Sequence, residues 1–173
     1  MKPLIGTDLK RFLRDAKRQF PKRRQLCALL QDVEYAMNVG SAFRLADAVG
    51  FDELILTGIT PTPPHPTIEK VGRAKTQRIP WHYNKDAAVS LRKLKTQGYH
   101  CVAVELAEGA LPYHTYEFPE KVCLVAGHED HGVTKATLAE CDAAVYLPMY
   151  GSGRSLNVHV ALSIVAYQIR QSG

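Results

Sequence analysis

Three segments of this 173-residue chain set polar side chains able to orient a substrate beside residues small enough to let it touch the backbone. The first, Asn38-Val39-Gly40-Ser41-Ala42-Phe43-Arg44, joins an amide to a guanidinium. The second, Gly127-His128-Glu129-Asp130-His131-Gly132-Val133, holds a carboxylate between glycines. The third, Pro148-Met149-Tyr150-Gly151-Ser152-Gly153-Arg154-Ser155-Leu156-Asn157, combines a G-x-G with a cation, a hydroxyl and an amide. Each has a bland reading. Arg44 alone fits a side chain that snorkels out of an apolar helix or pairs with a core carboxylate. Gly151 and Gly153 alone fit a tight turn.

Other chemistries find no support. There is no G-x-x-x-x-G-K-[ST] for a nucleotide hydrolase, no G-x-G-x-x-G after the first strand, and no G-x-S-x-G elbow to make Ser155 a nucleophile. His128-Glu129-Asp130-His131 puts its second histidine one position too early for two ligands on adjacent helical turns, so no metal site is expected. Cys27, Cys101, Cys123 and Cys141 are widely spaced, and the first three fall in apolar runs, as small buried hydrophobes do.

The elements that must position the three segments follow from the hydrophobic pattern. Leu26–Val33 reads as a strand buried on both faces, and a helix follows with Asn38 near its start and Gly50 at its end. Further strands are expected at 51–56, 79–83, 101–106, 122–126 and 143–147. The prolines of 60–66 mark a loop. Helices are expected from an Asn84 cap to Gly98, over 135–141 and over 155–171. Six strands interleaved with helices predict an α/β domain, with helices on both faces of a mostly parallel sheet. All three polar segments then leave the carboxyl ends of strands, where ligands bind in open parallel sheets.

Charge is unevenly placed. Residues 1–25 hold nine Lys/Arg against Asp8 and Asp15, a net of +7 within a chain total of +5, so the remainder carries −2. A basic arm over 1–24 suits a polyanion, because each neutralised phosphate releases counterions, and it equally suits a solvated helix face. The first residues lack the apolar core of a secretory signal. No apolar run reaches the roughly 20 residues of a membrane span, so a soluble, cytoplasmic protein with no membrane partner is expected.

Together, N-V-G-S-A-F-R, V-A-G-H-E-D-H-G-V and L-P-M-Y-G-S-G-R-S-L-N-V closely resemble, in order and spacing, the three motifs of the SpoU family of RNA ribose 2′-O-methyltransferases, TrmH-like members of the SPOUT class. The resemblance covers residues 25–171. It implies a methyltransferase domain over 25–173, a C-terminal trefoil knot, S-adenosylmethionine as cofactor and a homodimer. It assigns Asn38, Arg44, Glu129, Ser155 and Asn157 to catalysis, and Leu106, Gly127, Leu147 and Leu156 to the cofactor. His128 and His159 stand where family members often carry other polar residues.

On this resemblance Arg44 activates the ribose hydroxyl, either as a base or by stabilising a developing alkoxide. The second role does not require a guanidinium, a very weak acid, to lose its proton. Asn38, Glu129 and Asn157 orient Arg44 and the ribose, and Ser155 shapes the cofactor loop. The 2′-hydroxyl makes the partner RNA and not DNA. The compact body behind a basic amino-terminal helix resembles the tRNA guanosine-18 enzymes, and that resemblance favours structured tRNA over rRNA. The rival readings are a catalytically silent RNA-binding module and a base-methylating SPOUT enzyme. Finally, apolar residues surround most of the helix from Leu156 to Ile169, which predicts that a second subunit covers the side the core does not.

Overall fold

Alternate residues of the buried strands serve two different cores. In the computed structural model, which describes residues 1–172, Leu26, Ala28 and Leu30 point to one face of the sheet and Cys27 and Leu29 to the other. The strands are β1 (Gln25–Gln31), β2 (Leu54–Thr57), β3 (Trp81–Asn84), β4 (His100–Val104), β5 (Leu111–Pro112), β6 (Lys121–Ala126) and β7 (Ala143–Tyr146). They form one sheet in the order β3-β2-β1-β6-β4-β7-β5, and every pairing is parallel.

The sheet therefore has seven strands, not the expected six. The addition is β5, two residues paired with Val145 and Tyr146 at the sheet's edge, too short to show any periodicity. Its proline is tolerated because an edge strand has no outer partner to donate to.

Helices cover both faces. On the first lie α2 (Ala36–Val49), α3 (Pro66–Gly72) and α6 (Val158–Gln171); Phe43, Leu162, Val165 and Ile169 are wholly or almost wholly buried there. On the second lie α4 (Ala87–Thr96) and α5 (Lys135–Glu140), seated on Cys27, Cys101 and Cys123. These three thiols are side by side in register, free and buried, and burial pushes the nearby Cys141 thiol up to about 12. They behave as core hydrophobes.

Local departures from expectation have local causes. Asp86, not Asn84, caps α4 by accepting from Val89 N, while Asn84 accepts from Asp86 N in the turn before it. Asn157 caps α6, so that helix starts at Val158. The helix α3 begins at Pro66, where a missing N–H costs nothing, and was hidden by the proline-rich stretch before it. Gly40 serves packing: a Cβ there would meet Val71 Cβ at 2.9 Å and the Ile68 carbonyl at 3.0 Å, so its absence lets α2 and α3 touch.

The amino-terminal segment forms α1 (Gly6–Gln19), none of whose residues is buried. Its cations Lys10, Arg14 and Lys17 share one side, and Leu9, Phe12 and Leu13 are exposed on the other. The closing helix α6 buries Leu162, Val165, Ala166 and Ile169 in the chain's own core and leaves Val160 and Tyr167 exposed. Val165 therefore belongs to the core and not to a free face.

Candidate functional site

β1 sits where the chain's direction of travel across the sheet reverses, with β2 and β3 on one side and β6, β4, β7 and β5 on the other. At such a switch point the loops leaving neighbouring strands part and open a crevice. A cleft of about 530 Å³ lies there. It is lined by the exits of β4, β6 and β7, by Tyr35 and Asn38 at the start of α2, and by the 154–158 segment entering α6.

A half-buried carboxylate organises one wall. Glu129 Oε1 accepts from Asn38 Nδ2 at 2.6 Å and from Tyr35 N at 3.2 Å, and its Oε2 accepts from Glu34 N at 3.0 Å. Burial pulls its pKa up, but the three donors outweigh burial and hold it below the ordinary range, so Glu129 is ionised. An anion in this place also suits the amino-terminal end of α2, which has no side-chain cap of its own. Asn38 is itself buried, and its Oδ1 lies 3.2 Å from His159 Nδ1 on α6.

The floor is backbone and apolar side chain. Gly127 follows β6 where the chain folds back, with His128 and Gly132 exchanging two backbone hydrogen bonds. A Cβ on Gly127 would collide with the Gly132 backbone. Glu105, at the end of β4, accepts from Val133 N and Leu106 N, each at 2.9 Å, tying two walls together. Val104, Leu106, Leu147, Leu156 and Val158 supply apolar surface, while Ser155, Asn157 and Arg154 line the mouth.

Of the nine residues the sequence nominates, eight line this one cleft: Asn38, Leu106, Gly127, Glu129, Leu147, Ser155, Leu156 and Asn157. Asn157 also has a structural duty, its Oδ1 accepting from His159 N as the α6 cap. Arg44 is not in the lining. It is exposed on α2 and makes no side-chain hydrogen bond or ion pair among the described residues, so it does not pair with a core carboxylate. Sequence reasoning did not single out Glu105, whose signal was an acid inside the apolar run expected as a strand over 101–106, or the bond between His159 and Asn38, which no spacing reveals. Among the described residues no group of three or more His, Cys, Asp or Glu is placed to hold a metal ion.

The lining combines apolar side chains with strand-end backbone groups and the polar side chains of Glu129, Ser155 and Asn157, and the volume falls in the roughly 300–1,000 Å³ range of small-molecule sites.

Comparison with known proteins gives the family. A family model described as the SpoU rRNA Methylase family matches residues 25–167. The chain is 32% identical over 144 residues to the 23S rRNA (guanosine-2′-O-)-methyltransferase RlmB of Acinetobacter baylyi, covering 83% of this chain and 58% of that one. It is 29% identical over 152 residues to the tRNA (guanosine(18)-2′-O)-methyltransferase of Thermus thermophilus, covering 87% of this chain and 77% of the relative. The AdoMet-bound rRNA methyltransferase structure from Sinorhizobium meliloti superposes with a TM-score of 0.81 at 27% identity, over 87% of this chain and 57% of that one.

Proposed function

The chain belongs to the SpoU rRNA methylase family, and from that premise we propose that it is an S-adenosylmethionine-dependent methyltransferase acting on a ribose 2′-hydroxyl of tRNA or rRNA. The observation that carries the reading is the convergence of Asn38, Glu129, Ser155 and Asn157 with Gly127 in one cleft, from three separate parts of the chain. When bound, the cofactor supplies an electrophilic methyl group on a sulfonium. Leu106, Gly127, Leu147 and Leu156 hold it, and the closed backbone turn at Gly127 and the Glu105 tie keep that floor rigid. Asn38 and Glu129 fix the wall against which the ribose is oriented. Pre-positioning of this kind accounts for roughly 7–11 kcal/mol in well-aligned intramolecular cases.

Arg44 stabilises the alkoxide that develops as the 2′-hydroxyl gives up its proton to water. Its exposed, unpaired position off the cleft lining supports a role across a subunit boundary. In a homodimer built on the exposed side of α6, with Val160 and Tyr167, and on Met37 of α2, the guanidinium of one subunit completes the cleft of the other. The cations of the 1–24 arm contact phosphates. So do Lys70, Arg73 and Arg78, which are exposed without ion pairs among the described residues on and after α3, packed beside α2. The 25–173 portion forms the methyltransferase domain, with its trefoil knot in the loops that build the cofactor floor, and tRNA in the cytoplasm is the favoured substrate.

The test is methyl transfer from labelled cofactor to total RNA from a strain lacking the protein, with ribose methylation mapped by nucleotide. Label confined to one 2′-O position in tRNA is expected. Binding of cofactor and RNA without transfer would make the protein a silent RNA-binding module, and label on a base nitrogen would assign it to a different SPOUT chemistry.

A further inference from the structure

The hydrogen bonds around Asn38 allow only one arrangement of protons. An ionised carboxylate can only accept, so the Asn38 group 2.6 Å from Glu129 is the amide NH2 and the group facing α6 is its carbonyl oxygen. A carbonyl oxygen also only accepts. The His159 Nδ1 at 3.2 Å must then carry a hydrogen, and in the neutral ring Nε2 is left bare. Burial lowers the pKa of His159, which favours the neutral ring at pH 7. The main chain that carries the imidazole is itself anchored, since Asn157 Oδ1 accepts from His159 N and Ser163 donates its hydroxyl to the His159 carbonyl at 2.6 Å.

We propose that His159 is a positioning residue: its Nδ1–H fixes the amide of Asn38, and through that amide the Glu129 carboxylate, in the orientation the cleft needs. The inference rests on the reading of Asn38 as part of the active cleft. Without the imidazole only Glu129 orients the Asn38 amide, whose carbonyl oxygen is left without its donor at a buried position, so the side chain is held at one end and not at both. A chain of donors running from α6 through α2 to the loop after β6 thus joins the two cleft-edge helices through one side-chain amide. His159 does not line the cleft, so it acts through Asn38 and not on the reacting atoms.

Two measurements on the full chain test this, and one is independent of turnover. Nitrogen-15 NMR of the imidazole should show hydrogen on Nδ1 in the parent, reverting to the Nε2–H form favoured by free histidine in N38A. The Asn38 amide signals should be displaced in H159L and retained in H159N, since the Asn amide nitrogen stands where Nδ1 did. In methyl transfer, H159L should lose roughly 10-fold or more in kcat with cofactor KM little changed, the scale expected for one unmade buried hydrogen bond. H159N should recover to within about threefold of the parent. An Nε2–H tautomer in the parent, or an H159N variant as impaired as H159L while equally well folded by thermal melting, would overturn the proposal. A parent with no transferase activity would count against the methyltransferase reading alone, and the tautomer and the Asn38 signals would still decide the positioning role.

Discussion

Replacing Glu129 by Gln keeps the size of the side chain and removes its charge, which sets three donors against one remaining acceptor. Asn38 Nδ2 and Tyr35 N now point at Oε1 and Glu34 N at Oε2. Whichever way the new amide turns, its NH2 faces at least one of these donors. Hydrogen bonds to a charged group contribute about 1.5–3 kcal/mol and neutral ones about 0.5–1.5, and one donor is left unmet. Because Glu129 is only half-buried, water replaces part of the loss, and the net destabilisation should be about 1–2 kcal/mol at pH 7. The pH dependence gives a second signature. The folded pKa lies below the ordinary glutamate value of about 4.3, so this stabilisation is fully present above that value and disappears as pH falls through the folded pKa. Urea denaturation of parent and E129Q at pH 7 and at successively lower pH should therefore show a gap that closes below about pH 4. Methyl transfer at pH 7 should fall roughly 10-fold or more, since about 1.4 kcal/mol of lost alignment is already a factor of ten. A gap that stays constant into the acid range would refute the assignment of Glu129 as the ionised anchor of this wall.

Arg44→Ala should abolish methyl transfer while leaving cofactor affinity within a few fold, because the side chain does not line the cleft; its exposure predicts a stability change within about 0.5 kcal/mol, and near-normal turnover would remove Arg44 from the mechanism. Deleting residues 2–24 should weaken RNA binding and flatten its salt dependence, by roughly 0.7–0.9 in log–log slope for each phosphate no longer neutralised, and an unchanged slope would make the arm a solvated helix. Tyr167→Arg on the exposed side of α6 should shift sedimentation equilibrium toward monomer and cost activity with stability kept, whereas Val165→Arg, which places a charge in the chain's own core, should chiefly unfold it. A fully active monomer at micromolar concentration would refute the dimer.

The central strands were legible from sequence because continuous apolar runs such as Leu26–Leu30 have few other uses in a soluble domain, and their burial on both faces follows the expected pattern. What could not be read has physical reasons. A two-residue edge strand has no period, and a seven-residue helix behind three prolines has too few turns to show an apolar face. Gly40 looked like a ligand-facing glycine but is a contact between helices, a distinction that depends on where α3 passes. The segments that line the cleft were visible because three polar stretches each follow an expected strand, and parallel topology brings such strand ends together; the individual candidate residues came from the family resemblance of those stretches. The His159 bond was invisible because it joins residues 121 positions apart on two helices.

The cleft walls differ in how they are held. The sheet beneath them is fixed by apolar packing on both faces, yet the loops that rise from it have little core of their own and are ordered by carboxylates that accept backbone N–H groups. Glu105 binds Leu106 N and Val133 N, joining the exits of β4 and β6. Glu129 binds Glu34 N and Tyr35 N, joining the exit of β6 to that of β1. Both acids stand at strand ends, where parallel pairing leaves backbone donors without a partner, and a backbone donor left unmet away from water is costly. The residues that shape the cleft are therefore the same residues that satisfy the fold's loose ends, so changes at Glu105 or Glu129 should alter stability and cofactor affinity together, while a change at Arg44, which makes no side-chain hydrogen bond or ion pair among the described residues, should leave stability nearly unchanged.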